Sequence, residues 1–367
     1  FLSGGVDSST IAALMQEQSS KKVKTFSIGF EDKRYNEAEH AKLVANHLGT
    51  DHHDMYVSSK DALNVLPLLP DMFDEPFADS SQIPMYLVSK IAKTKVTVCL
   101  SGDGGDELFG GYNRYLVASK LWNKISKIPK PGKSALAYLI KSLKPTVWDK
   151  ISDLLYKNKY SNLGYKLHKG ADSLQSKNID DLYFNLISII KNPTEWLINS
   201  EEHSNTNYNF DPKISGIERM MIKDLVGYLP TDILTKVDRT SMAVSLEART
   251  PFLDKEIVKF ALTLPEEYKI KAEVGKSVLR DVLYKYVPKD MIERPKMGFG
   301  VPLAEWMRGE LRVWCEDLLN EKKLNDDGFF NSKLIREKWN EHLKGDVDWH
   351  HELWNVLIFQ AWLENNR

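Results

Sequence analysis

Cysteine is scarce in this chain. Its two copies among 367 residues, Cys99 and Cys315, lie in apolar surroundings and in no C-x-x-C pair. That excludes a disulfide framework and reads as two buried free thiols in a reducing cytoplasm. No run of about 18 apolar residues occurs, which excludes a transmembrane helix. Charge of one sign is also missing: 50 basic against 51 acidic residues leave a net charge of −1. Nothing in that balance attracts nucleic acid or a membrane, so small-molecule partners are expected. The chain lacks the lysine of a G-x-x-x-x-G-K-[ST] phosphate loop as well. What remains, 42% hydrophobic and 28% charged residues, is the composition of a globular protein long enough for two domains. The chain opens on Phe1, two residues before its first turn, where a buried strand usually has about five. The expectation is a strand cut short, within a longer polypeptide.

The most informative stretch is the first, Phe1-Leu2-Ser3-Gly4-Gly5-Val6-Asp7-Ser8-Ser9-Thr10. Two apolar residues end a strand, two glycines turn the chain, and Ser8, Ser9 or Thr10 caps a helix through Ile11, Ala12, Leu14 and Met15. Such a strand–turn–helix start aims backbone N–H groups and the helix dipole at one point, which suits an anion. Ser3 and Ser8 add hydroxyl donors. Asp7 accepts only, and a carboxylate beside a phosphate site makes sense when a divalent cation lies between them. An ordinary serine-capped Gly-Gly turn is the alternative for this loop alone.

Strands and helices then alternate. Val23–Phe30 reads as a strand, followed by a helix opened by a capping box of Asn36 and Glu39 and ended by Gly49. His52–Val57 is a third strand; its adjacent histidines face opposite ways and do not suit one metal. Helices are expected over 61–69 and 83–93, with a buried strand at 96–100. This alternation predicts a parallel, doubly wound sheet, with ligands outside the C-terminal strand ends. Three loops belong there: Ser3-Gly4-Gly5, Ser27-Ile28-Gly29 and Ser101-Gly102-Asp103-Gly104-Gly105-Asp106-Glu107. The third supplies further carboxylates, and a divalent ion between Asp7 and Asp106, bridged by a polyphosphate, explains both loops together.

From about 115 to 209 the chain turns to amphipathic helices without chemical motifs. Chemistry resumes in YLPTDILTKVDRTSMAVSLEARTPFLD, residues 228–254. A helix there places Asp232, Lys236 and Arg239 near one face, as a site or as a structural ion-pair cluster. Gly275-Lys276 opens another helix, where a lysine opposes the macrodipole; an anionic ligand or a nearby carboxylate must favour it. A basic glycine-rich loop, Arg294 to Pro302, precedes a helix at 306–319. The tail stripe Trp354, Leu357, Ile358 and Trp362 reads as core.

Ser3-Gly4-Gly5-Val6-Asp7-Ser8 resembles the ATP loop of N-type ATP pyrophosphatases. Together with SGDGGDELFGGY (101–112), DRTSMAVSLEARTPFLD (238–254), GKSVLRD (275–281) and RPKMGFGVP (294–302), it resembles the synthetase domain of glutamine-hydrolysing asparagine synthetases. The likeness runs the length of the chain and weakens over about 115–215. It implies a Rossmann-like α/β core over residues 1–115, a helical subdomain over 116–215, and a mainly helical part over 216–367 completing the site. By position it implies that Ser3, Gly4, Gly5, Asp7, Ser8 and Ser9 hold the phosphates of ATP. Ile28 meets adenine through its backbone, and Ser101 and Gly102 line the nucleotide. Asp7 and Asp106 hold Mg2+, and Lys276 stabilises the leaving pyrophosphate. Asp103, Asp232 and Asp238 are further catalytic candidates, and Lys236, Arg249 and Lys296 are substrate-binding ones. Asp103 stands where many relatives carry glutamate, one methylene longer. The family's glutaminase cysteine is not found here, so glutamine hydrolysis is not expected of these residues; ammonia from a glutaminase domain is. A homodimer is also among the expected partners.

The implied reaction is adenylation of aspartate followed by ammonia displacement of AMP. Alternatives on the same loops are a β-lactam synthetase-like cyclisation, nitrogen transfer to a glycan-linked carboxylate, a tRNA-modifying enzyme, and a non-catalytic binder. The last would have lost Asp7, Asp106 or Lys276, all of which are present.

Overall fold

Glycine begins the first helix. Gly4 turns the chain at a φ of +74°, and a Cβ there would approach the Ala41 nitrogen to 3.0 Å, so the position needs glycine twice over. Val6–Glu17 (α1) follows, with Gly5 as its N-cap and no side chain capping it. The serines expected to cap lie inside the helix instead. No capping side chain therefore takes the first N–H groups of α1. Thr10 is spent on the helix itself, its hydroxyl donating to the Val6 carbonyl at 2.7 Å.

The computed structural model describes residues 1–30, 36–143, 145–156, 163–201, 210–293 and 300–367. Lys24–Phe30 (β1) is buried at every position after the first, as a strand covered on both faces requires. It pairs in parallel with Asp51–Val57 (β2), Thr25 opposite His52 and Phe30 opposite Val57. The connection carries Ala38–Leu48 (α2), which packs on both strands and ends at Gly49 in the left-handed conformation. Asn36 does not form the expected capping box with Glu39; its Oδ1 accepts from the Ala38 N–H at 3.0 Å, an Asx turn that sets the entry into α2. Ser27, Ile28 and Gly29 are not a loop, because each is paired to β2 within the ladder. His52 is consumed in the same sheet, facing the hydroxyls of Thr25 at 2.9 Å and Ser27 at 3.2 Å.

Gln82–Lys93 (α3) packs on β1 and leads to Val98–Leu100 (β3). The chain order then jumps: β3 pairs in parallel with Glu247–Arg249 (β4). Phe1 and Leu2 take no strand geometry of their own, contrary to expectation. They nonetheless bridge the two pairs, the Leu2 N–H donating to Phe26 at 2.9 Å and the Phe1 nitrogen to Leu100 at 2.7 Å. What is established is a mixed α/β protein, rich in helix, with small parallel sheets.

By its internal contacts the chain divides into two units. One comprises Phe1–Tyr112, Met221–Cys315 and Trp354–Arg367, and the other Asn113–Met220 and Glu316–Leu353. The first contains all the strands above and a core in which Leu2, Ala12, Ala13, Ala41, Ala45, Phe109, Leu279 and Leu283 are buried together. Alanines on α1 and α2 allow close helix approach. The second unit is helical, with a core that includes Ile125, Ala137, Ala171, Leu174 and Leu182. Both cysteines are buried, and neither is in a disulfide. Among the described residues no helix is long and apolar enough to cross a membrane.

Candidate nucleotide and metal site

Two loops meet at the C-terminal ends of the Phe1–Leu2 segment and β3. After β3, Gly104 takes a φ of +90° and starts the short helix Gly105–Phe109 (α4). Gly102 and Gly105 lie against the start of α1. A Cβ on Gly102 would come within 2.8 Å of the Asp7 Cβ and 2.9 Å of the Ser8 nitrogen, and one on Gly105 within 2.5 Å of Asp7 Oδ1. Glycine here is a matter of space: it lets the second loop press against the first. The hydroxyls of Ser3 and Ser8 are 3.0 Å apart, and Ser8 Oγ accepts from the Ser3 N–H at 3.1 Å, so the two serines hold the loop's shape. Ser9 is fully buried.

Lys276 arrives from 269 residues away in sequence to Asp7. It caps Ser277–Leu283 (α6; the helix Thr235–Met242 is α5) in a left-handed conformation, φ +60°, which costs a non-glycine residue about 1–2 kcal/mol. Its N–H donates to the Phe109 carbonyl at 2.9 Å, which fixes that backbone against the end of α4. Its ammonium donates to Asp7 Oδ2 and lies 2.8 Å from Asp106 Oδ1. The three side chains are 7%, 16% and 17% exposed. Burial alone would lower the lysine's pKa, but the two carboxylates outweigh it and hold the ammonium charged. The misfit of a lysine at a helix start is thus resolved by carboxylates. Two carboxylates with a cation already between them also fit a magnesium site, because Mg2+ is commonly held by one or two carboxylates plus substrate phosphates.

A second ion pair lies on α5. Lys236 Nζ donates to Asp79 Oδ2 at 2.6 Å, and Asp79 also accepts from Ser81 N and Oγ at 2.9 and 2.8 Å. Burial pushes the Asp79 carboxyl up, yet Lys236 and these hydrogen bonds hold it below the usual carboxylate range. Arg239 pairs with Asp74. Before α5 the chain runs as π-helical turns over Asp224–Leu234, which contain Pro230; the wider turn tolerates its missing N–H. Asp79 and Asp74 escaped the sequence reading. The only signal was three acids, Asp74, Glu75 and Asp79, in the loop Asp74–Ser81.

The asparagine synthase family model matches residues 1–364. The chain belongs to the asparagine synthase family. Over 368 residues it is 33% identical to asparagine synthetase [glutamine-hydrolyzing] 1 of Bacillus subtilis, covering 99% of this chain and 55% of that one. A putative asparagine synthetase of Mycobacterium bovis is 32% identical over 363 residues, 99% of this chain and 53% of its own. The bovine asparagine synthetase is 23% identical over 381 residues, 96% of this chain and 50% of its own. The chain thus spans about half the length of these curated relatives.

In this member of the family the other expected site residues are spread more widely. Asp103 sits in the second loop and accepts from Ser101 Oγ at 2.7 Å; burial, stronger than that bond, raises its pKa. Ile28 is buried within β1. Asp238 is exposed. Arg249 is exposed and pairs with Glu247 at 2.7 Å, while its carbonyl accepts from the Ser101 N–H at 2.9 Å. Lys296 lies outside the described residues. No group of three His, Cys, Asp or Glu able to hold a metal occurs among the described residues.

Glu107 is the functional candidate that sequence reasoning named only as part of a loop. It is 3% exposed and accepts from the Tyr112 hydroxyl at 2.7 Å. Burial pushes its carboxyl up to about 7, against the lowering effect of Tyr112. A raised folded-state pKa gives stability that is full below the unfolded value and lost as pH rises through the folded one. Stability of the wild type should therefore fall between about pH 4.5 and 7 by this group's contribution. Glu107→Gln should flatten that part of a urea-unfolding pH series, and an unchanged slope would contradict the assignment.

Proposed function

We propose that this chain carries ATP-dependent amide synthesis, turning aspartate into asparagine through a β-aspartyl-AMP intermediate. The observation that carries the reading is the convergence of Asp7, Asp106 and Lys276, from three separate segments, beside an uncapped helix start. The pairs β1–β2 and β3–β4, both hydrogen-bonded to Phe1–Leu2, support one doubly wound parallel sheet presenting that point at its C-terminal edge. In the first step a side-chain carboxylate oxygen of aspartate bonds to the α-phosphorus of ATP and the bond to pyrophosphate breaks. In the second, ammonia bonds to the acyl carbon, AMP leaves, and the amine loses a proton.

Each residue has a task. The loop Ser3–Ser8 receives the phosphates with backbone N–H groups and hydroxyls. Asp7 and Asp106 would hold Mg2+, which supplies charge neutralisation on the phosphates when bound. Lys276 stabilises charge on the departing pyrophosphate. Ser101, Gly102 and Asp103 border the nucleotide, and Lys236 with Asp79 and Asp232 forms a charged wall suited to the amino-acid substrate. The B. subtilis and bovine relatives are named for glutamine hydrolysis, and ammonia from such a reaction is the proposed nitrogen source.

The test is aspartate-dependent exchange of labelled pyrophosphate into ATP, followed by AMP and asparagine formation with ammonia. Absence of both with a folded protein, or their appearance with another carboxylate in place of aspartate, overturns the assignment.

The Asp79–Lys236 pair makes a structural prediction as well. Removing one member of a buried pair leaves an uncompensated charge and costs roughly 3–5 kcal/mol. Lys236→Met should lose stability on that scale at neutral pH in denaturant unfolding, and the double change with Asp79→Asn should recover part of it. A loss below about 1 kcal/mol would show the pair to be solvated.

A further inference from the structure

The ammonium of Lys276 occupies the position between Asp7 and Asp106 that the proposed reading assigns to a divalent cation. It is not there loosely. The backbone that aims it is left-handed and tied to Phe109, the ammonium bonds both carboxylates, and Gly111 supplies the space for its stem. A Cβ at Gly111 would fall onto Lys276 Cε and Asp106 Oδ1. Two cations cannot share that space without strong repulsion at the dielectric of a buried site.

From this we infer that Lys276 is an internal counter-ion which keeps the metal out until the nucleotide arrives. The inference rests on the reading of the site as an ATP–magnesium site. Without nucleotide, Asp7 and Asp106 are neutralised by the lysine and have no excess charge to offer a free metal. With nucleotide, the phosphates bring additional negative charge. The ammonium then exchanges its carboxylates for phosphate oxygens, and the metal takes its place. The lysine's long unbranched stem allows that move with the backbone fixed. Metal and nucleotide therefore enter together, and the lysine reaches the phosphates only after leaving the carboxylates. Its catalytic contact and its resting contact exclude each other.

Mn2+ reports on this by its electron paramagnetic resonance signal, with no turnover needed. Wild-type chain without nucleotide is expected to leave the free Mn2+ signal unchanged, and to bind Mn2+ only once ATP is added. Lys276→Met keeps the stem and removes the charge, and should bind Mn2+ without nucleotide at least about tenfold tighter than wild type. Lys276→Met with Asp7→Asn should lose that gain. The variant's thermal midpoint should rise on adding Mg2+ alone, while that of wild type should not. Tight Mn2+ binding by nucleotide-free wild type, or equal weak binding by Lys276→Met in a folded state, overturns the inference. If the variant does not fold, the wild-type titration alone still decides. Failure of wild type to bind Mn2+ with ATP would instead overturn the nucleotide-site reading, so the two failures are distinguishable.

Discussion

Lys276→Met should lower aspartate-dependent pyrophosphate–ATP exchange by about 10²–10³, the usual effect of deleting one preorganised group that stabilises transition-state charge. Nucleotide affinity should change no more than a few-fold, because the loop Ser3–Ser8 and the α1 start remain. Two effects compete in this variant and must be separated. Loss of the ammonium leaves Asp7 and Asp106 facing each other while largely buried, which destabilises the fold in the absence of a cation. On the proposed reading, loss of the same charge during pyrophosphate departure should slow the chemistry. Saturating Mg2+ and ATP offset the first effect and not the second, so rates compared under those conditions report catalysis. Lys276→Arg should not restore the rate, since a planar fork does not replace a compact ammonium in the space beside Gly111. A Lys276→Met variant that kept more than about a tenth of the exchange rate would remove the lysine from the mechanism.

What the residues revealed in advance was mostly local. Gly4-Gly5 before the stripe of Ile11, Ala12, Leu14 and Met15 announced a turn and a helix, and the buried strand before Ser101 announced a second loop. Lys276 was legible as an anomaly: a cation at a helix start asks for an anion, though spacing could not say that Asp7 and Asp106 would be it. Periodicity reads Val23–Phe30 as a strand, and β1 runs over Lys24–Phe30. Composition misleads within it: Ser27-Ile28-Gly29 also reads as a glycine-bearing loop, but seven consecutive pairings with β2 carry the strand straight through it. Serines after Gly5 read as caps, while the helix had already begun at Val6. Asp79 illustrates the harder limit. Its partner Lys236 is 157 residues away, and no local pattern in a polar loop signals which acid will be buried against which distant base. Nor does a helical pattern around Pro230 reveal that the turns there widen.

Gly111→Ala and Gly275→Ala should fail in opposite ways, although the two glycines are near neighbours in space. At Gly275 an added Cβ would strike the Gly110 carbonyl oxygen, with the Gly110 carbon 3.1 Å and Gly111 Cα 3.2 Å away. All three are backbone atoms, and Gly275 is itself paired with Ile270 in a short antiparallel ladder. Nothing there can rotate aside, so the fold should lose about 1–3 kcal/mol or more. At Gly111 the added Cβ would instead meet Lys276 Cε and Asp106 Oδ1, the ends of two flexible side chains. They can give way where backbone cannot, so the loss of stability should be smaller than at Gly275. Their displacement is what matters, because a shift of about 1 Å in a catalytic group can cost about 10²-fold in rate. Gly111→Ala should therefore be a folded protein with exchange activity reduced by about that factor, while any residual activity of Gly275→Ala should track its folded fraction. Denaturant unfolding beside the exchange assay separates the two. A Gly111→Ala protein that is fully active, with its stability unchanged, would mean that the ammonium does not need the place it holds between Asp7 and Asp106.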